Sequence, residues 1–164
     1  LSPAVRHPAH AEDVARAFAW TKANARKYGG DAGKITLFGH SAGGHLVSLL
    51  ATDPAYLRAE KLTPADVRGV VSVSGVYSIV PEVALFHPAF GKDEMACRLA
   101  SPLSHVTGKH PPFLLAYGDN DIPHLDRMAL DMAAALKRHD SPHTLLRCDG
   151  RNHYSIIMLA IQPD

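Results

Sequence analysis

Cysteine is scarce: Cys97 and Cys148 are the only two in 164 residues. They lie far apart, too few for a disulfide scaffold and without the paired spacing of a structural zinc site, so a reducing, cytoplasmic setting is expected. An excess of either charge is lacking too, since 17 Lys and Arg oppose 16 Asp and Glu. That balance offers neither a polybasic surface for nucleic acid nor an acidic tail, and no nucleic-acid partner is expected. No apolar run approaches the roughly 20 residues that a membrane-spanning helix needs. Leu1 to His10 also lack the basic-then-apolar pattern of a secretory signal. Internal repeats and low-complexity segments are missing as well. What remains, 46% hydrophobic with 12 Gly and 12 Pro, is ordinary globular composition at the size of one domain, read as residues 1–164.

Residues 12 to 28 place Val14, Phe18, Thr21, Ala25 and Tyr28 at alternating steps of four and three, the spacing of one helix face. Glu12 and Asp13 near the start and Arg26 and Lys27 near the end suit the helix dipole, and Gly29-Gly30 offers a stop. The apolar run Ile35 to Phe38 reads as a strand, Gly39 to Gly44 as a tight turn, and His45 to Ala51 as a helix. Further strands are expected at Val70–Val73, Phe113–Tyr117 and Thr144–Arg147. Helices are expected from about Pro123 to His139, with Leu125, Met128, Ala129, Met132 and Leu136 inward, and from Tyr154 to Ile161. Strands alternating with helices predict an α/β fold with a mostly parallel sheet covered on both faces. The stretch 76–112 breaks the rhythm with Pro, Gly, His and polar residues, and is too long for a plain connection. It reads as an insertion or lid.

Gly39-His40-Ser41-Ala42-Gly43 fits the G-x-S-x-G pattern in the context that pattern demands, an apolar strand before it and a helix after it. Such a turn pushes the serine hydroxyl out at the strand's C-terminal end. Glycines at 39 and 43 are expected to remove side chains that would strike neighbouring backbone. The helix adds the N–H of Ala42 and the positive end of its dipole, both suited to an oxyanion. A phosphate loop is excluded, because His45 stands where G-x-x-x-x-G-K-[ST] needs Lys, and G-x-G-x-x-G is absent.

A serine hydroxyl needs a base, and the base needs a third group to orient it. In this arrangement the chain order is Ser, then Asp or Glu, then His. After the third strand, Gly118-Asp119-Asn120-Asp121 offers two aspartates; Asp121 is the favoured acid, while Asp119 competes with a bland role as an Asx-turn former. After the fourth strand, Gly150-Arg151-Asn152-His153 presents the base, His153. Of eleven histidines, His7, His10, His87, His105, His110 and His124 read as solvated loop residues. His139 and His143 are separated by Pro142, which rules out a shared metal-ligand helix face.

The ordered set of motifs resembles the C-terminal portion of an α/β-hydrolase of the esterase and lipase group. It stands near the hormone-sensitive-lipase-like, acetyl-esterase and kynurenine-formamidase-like carboxylesterases. The likeness runs from Leu1 to about Leu159. It rests on Leu1-Ser2-Pro3, His7-Pro8, Glu12-Asp13-Val14 with Trp20, and Tyr28-Gly29-Gly30-Asp31. The elbow Gly39 to Gly44 follows, then Ala51-Thr52-Asp53, Ser74-Gly75-Val76-Tyr77, Ala100-Ser101-Pro102, Pro111-Pro112-Phe113-Leu114 and Arg151-Asn152-His153. The resemblance implies Ser41 as nucleophile, Asp121 as acid, His153 as base and a three-layer α/β-hydrolase sandwich. It also implies hydrolysis of short-chain or aryl carboxylic esters without metal or organic cofactor. An arylformamidase-like amidase with the same triad, or a non-catalytic hydrolase-like interaction domain, are the alternatives. Ser78 stands where the family often carries an aspartate. Family members also carry N-terminal strands and a His-Gly-Gly type loop that adds oxyanion donors, and nothing before Leu1 supplies them here. The expected consequence is an unpaired edge at Ile35–Phe38, open to self-association or to a complementing segment.

Overall fold

The computed structural model describes residues 2–160. Leu1, where the resemblance begins, and Ile161, expected to close the last helix, lie outside the described residues. In chain order the elements are α1 (Ala9–Asn24), β1 (Thr36–His40), α2 (Ala42–Thr52), α3 (Pro54–Ala59), β2 (Gly69–Val73), α4 (His87–Phe90), α5 (Glu94–Leu99), β3 (Phe113–Asn120), α6 (Leu125–Arg138), β4 (His143–Asn152) and α7 (Ser155–Met158). The four strands form one sheet in the order β1-β2-β3-β4, every neighbouring pair parallel. The all-parallel order puts every strand's C-terminal end on one side, and the four loops that leave there converge.

Alternation along the strands sorts the two faces. Leu37, Val70, Phe113 and Leu115 join Val47, Leu50 and Ala51 of α2 and Ala129, Met132 and Leu136 of α6 in the main core. Val73 and Ala116 face the other way and pack with Ile156 of α7. Helices thus cover both faces unequally, and Phe38, on the α7 side of β1, is 59% exposed. Among the described residues β1 pairs with β2 alone.

The inward stripe of α6 lies where its spacing places it, with Leu125, Ala129, Met132 and Leu136 buried and Met128 partly so. The first helix departs from expectation. Its buried side is Ala11, Ala15 and Phe18; Thr21 is exposed, and Tyr28 is 69% exposed against Trp20. The cause is geometric: residues 25–28 tighten into a 3-10 turn before the left-handed Gly29, and three residues per turn carry Tyr28 off the α-helical face. The last helix is shorter than expected, Ser155–Met158, and β4 runs on to Asn152 rather than ending near Arg147. Several histidines expected in solvent are instead half-buried: burial lowers the pKa of His7 and of His110, and His10 lies within α1.

Candidate active site

Each strand delivers one side chain at its C-terminal end. Ser41 follows β1, Ser74 follows β2, Asp121 follows β3 and His153 follows β4. Ser41 has φ 55° and ψ −119°, a conformation that costs a non-glycine residue roughly 1–3 kcal/mol and survives only where the surroundings enforce it. Its backbone N–H is held by the Val73 carbonyl at 2.9 Å. The turn is tight because a Cβ on Gly39 would sit 2.2 Å from the Gly43 carbonyl oxygen. The expectation for Gly43 is corrected: a Cβ there would meet nothing within 4 Å. Gly44 is the second cramped position, 2.8 Å from Ser72 Oγ and 2.9 Å from Gly75 Cα, since α2 crosses β2 there at close range.

The structure brings Ser41, His153 and Asp121 into one line. His153 Nε2 is 2.9 Å from Ser41 Oγ, and His153 Nδ1 is 2.7 Å from Asp121 Oδ1. An ionised carboxylate only accepts, so Nδ1–H is the donor and Nε2 is left to accept the Ser41 hydroxyl proton. The Asp121 side chain is 2% exposed. Burial pushes its pKa up, but Ser74 Oγ, His153 and the N–H groups of Ile122 and Gly118 outweigh burial and hold the carboxyl below its ordinary range. Ser74 Oγ donates to Asp121 Oδ2 at 2.5 Å, Ile122 N to Oδ1 at 2.8 Å and Gly118 N to Oδ2 at 3.2 Å. Asp119 does not reach His153; its carboxylate accepts the Arg151 N–H at 3.2 Å and faces Arg147 at 3.7 Å. Ala42 opens α2, so its N–H belongs to the first turn, which has no intrahelical acceptor.

Sequence reasoning overlooked three side chains. Ser74 had a signal, a polar residue directly after an apolar strand, on the edge where ligand sites collect. His40 Nε2 donates to the His153 carbonyl at 2.8 Å. His45, one turn into α2, is buried and donates from Nε2 to the Ala100 carbonyl at 2.8 Å, which ties the 76–112 stretch to the helix that follows Ser41.

Beside Ser41 and Ala42 a cavity of about 300 Å³ is walled by His45, Ile79, Phe86 and Phe90. A second, of about 370 Å³, adjoins it across His45, Ala89 and Phe90 and reaches His7 and His10. The larger depression of about 510 Å³ near Arg68 and Pro112 lies at the opposite, N-terminal ends of the strands. Among the described residues no three His, Cys, Asp or Glu side chains cluster as metal ligands, and no helix is long and apolar enough to cross a membrane.

The BD-FAE family profile matches residues 1–125, most of the chain. The chain belongs to the BD-FAE family. This BD-FAE chain is 35% identical over 136 residues to the probable carboxylic ester hydrolase LipM of Mycobacterium tuberculosis, covering 73% of the chain and 32% of that protein. It is 37% identical over 145 residues to the esterase LipC of the same organism, covering 74% and 34%. It thus spans about a third of the length of these curated relatives. Among solved structures it resembles the acetyl ester-xyloside bifunctional hydrolase from Caldicellulosiruptor lactoaceticus, with TM-score 0.77 and 24% identity over 96% of this chain and 61% of that one. A truncated carbohydrate esterase from gut microbiota gives TM-score 0.75 and 22% identity over 90% and 62%. At these identities the likeness speaks for the shared α/β-hydrolase fold.

Proposed function

We propose that the chain is the catalytic domain of a serine carboxylic-ester hydrolase. The observation that carries the reading is the continuous hydrogen-bonded line from Ser41 through His153 to Asp121, next to a cavity. Ser41 Oγ attacks the ester carbonyl carbon while His153 Nε2 takes its proton, and Ala42 N–H receives the developing oxyanion. Collapse breaks the carbon–alkoxy bond, and His153 returns the proton to the departing alcohol. Water, deprotonated by the same nitrogen, then attacks the acyl-enzyme, releases the carboxylic acid and regenerates Ser41. Asp121 holds the tautomer and balances the imidazolium. The names of LipM and LipC, an ester hydrolase and an esterase, agree with this chemistry.

Substrate preference is read from the pocket. About 300 Å³ is the lower limit of ordinary ligand sites, which favours short-chain acyl or aryl esters. Residues 76–112 act as an insertion within the single domain 1–164 and supply Val76, Ile79, Phe86 and Phe90 to that wall. Both cysteines are free, which fits a reducing, cytoplasmic setting. The test is hydrolysis of 4-nitrophenyl acetate together with fluorophosphonate labelling read by mass spectrometry. Label on Ser41 and turnover lost in Ser41→Ala are expected. Label on Ser72, Ser74 or Ser101 with Ser41 untouched removes the mechanism. Faster turnover of N-formylkynurenine than of the acetate moves the assignment to the amidase, and neither turnover nor labelling moves it to a non-catalytic domain.

A further inference from the structure

The triad spans the whole sheet. Ser41 leaves β1 and His153 leaves β4, which among the described residues are its two opposite edges, so the two strands do not pair directly. The loop that carries His153 is fastened to its own side. Asn152 Oδ1 accepts the N–H groups of Tyr154 and Ser155 at 3.0 and 2.8 Å, and Asp119 of β3 accepts that of Arg151 at 3.2 Å. These contacts shape the loop, and Ile156 of α7 packs it against Val73 of β2 and Ala116 of β3, but none of them reaches β1 itself. The reaction is sensitive to that distance, because a displacement of about 1 Å can cost roughly 10²-fold in rate.

His40, the last residue of β1, closes the gap. Its Nε2 lies 2.8 Å from the backbone carbonyl oxygen of His153. A carbonyl can only accept, so Nε2 carries the hydrogen, in the neutral ring and in the charged one alike. The His40 ring also lies against the His153 ring, centroids 4.7 Å apart and planes at 42°, and Tyr154 meets the same imidazole edge-on at 5.5 Å. Because His40 and Ser41 are consecutive, the residue that grips the base is bonded directly to the nucleophile. Any drift of the β4 loop is therefore referred to the serine itself.

We propose that His40 is a positioning residue for His153: by holding the His153 carbonyl from the neighbouring residue of the nucleophile, it sets the reach of the base to Ser41 Oγ across the sheet. The inference rests on the reading of His153 as the base. It predicts an effect on the chemical step rather than on substrate binding, since His40 does not line the cavity beside Ser41.

Three substitutions separate its contacts. His40→Phe keeps a ring without the donor, His40→Gln keeps an N–H donor without the ring, and His40→Met, close to Gln in length, keeps neither. The readouts are kcat and KM for 4-nitrophenyl acetate, the rate of fluorophosphonate labelling, and the far-downfield proton NMR signal of the His153 Nδ1–H bonded to Asp121. Thermal melts identify any variant that does not fold. If His40→Phe fails to fold, the Gln and Met pair decides alone. His40→Phe and His40→Met are expected to lower kcat at least tenfold with KM within twofold, to slow labelling in proportion, and to lose the downfield signal to exchange. His40→Gln is expected to recover most of kcat and the signal. Wild-type kcat and signal in His40→Met, or His40→Gln as impaired as His40→Met, overturns the proposal. A wild-type chain that neither hydrolyses ester nor takes the label sinks the esterase reading instead. The downfield signal across the three variants then still decides whether His40 holds His153.

Discussion

His45 makes the stability of this domain depend on pH in a window set by its burial. It is 3% exposed, one turn from Ser41. Burial lowers its pKa to about 4, the bond to the Ala100 carbonyl opposing the shift and the nearby His7 and His10 adding to it. In the unfolded chain the same imidazole titrates near 6.5. Above that pH neither state binds the proton, and His45 contributes no pH dependence. Between about 6.5 and 4 only the unfolded chain binds it, so stability falls as the pH falls; below about 4 both states are charged and the loss stops growing. Across the window the loss is about 3 kcal/mol, a large share of the 5–15 kcal/mol that holds an ordinary domain folded. Other groups titrate there too, so the measurement is a difference: urea unfolding of the wild type and of His45→Gln, which can keep a donor but cannot charge, at several values from pH 7 to pH 4. With a urea slope of about 2 kcal/mol per molar, the gap between the two midpoints should change by roughly 1.5 M, moving in favour of His45→Gln at low pH. A gap that stays constant from pH 7 to pH 4 would refute the reasoning, because His45 would then be solvated or charged in the folded state.

Gly39→Ala places a Cβ 2.2 Å from the Gly43 carbonyl oxygen; a loss of roughly 3 kcal/mol and no fluorophosphonate label on Ser41 are expected from melting and mass spectrometry. Asp121→Asn should lower kcat by roughly 10³–10⁴, and Asp119→Asn far less, because Asp119 does not touch His153; steady-state kinetics showing the reverse order would transfer the acid's role. Phe90 stands between the cavities of about 300 and 370 Å³, so Phe90→Ala should raise kcat/KM for hexanoate and octanoate esters relative to acetate, and an unchanged chain-length profile counts against that wall. β1 carries a partner on one side among the described residues, with Phe38 exposed; sedimentation should show this 164-residue chain associating with concentration. A monomer with the β1 amides strongly protected from hydrogen exchange would contradict this.

Much of the site lay in local sequence. A strand, a glycine-flanked serine and a helix are neighbours along the chain, and their hydrophobic rhythm and steric needs act over a few residues, so the sharp passage from strand to helix at Ser41 is legible. β1 nevertheless runs on to His40 and α2 starts at Ala42, which narrows the turn expected over Gly39 to Gly44 to Ser41 alone. The order of Ser41, Asp121 and His153 is legible as well, because parallel strands return each loop to the same end of the sheet. What only the tertiary structure decided depends on distance across that end. Asp121 rather than Asp119 meets the imidazole, since a step of two residues at the end of β3 turns a carboxylate toward or away from a ring 32 residues after Asp121. Ser74 reaches Asp121 from 47 residues away and His40 reaches His153 from 113, and no periodicity in the chain records such pairs. The cramped glycine at 44 rather than 43 follows from how closely α2 crosses β2, and the outward Tyr28 from a last turn wound at three residues instead of 3.6. Local chemistry chose the position of Ser41 and its turn; packing between elements far apart in the chain chose which polar groups stand around it.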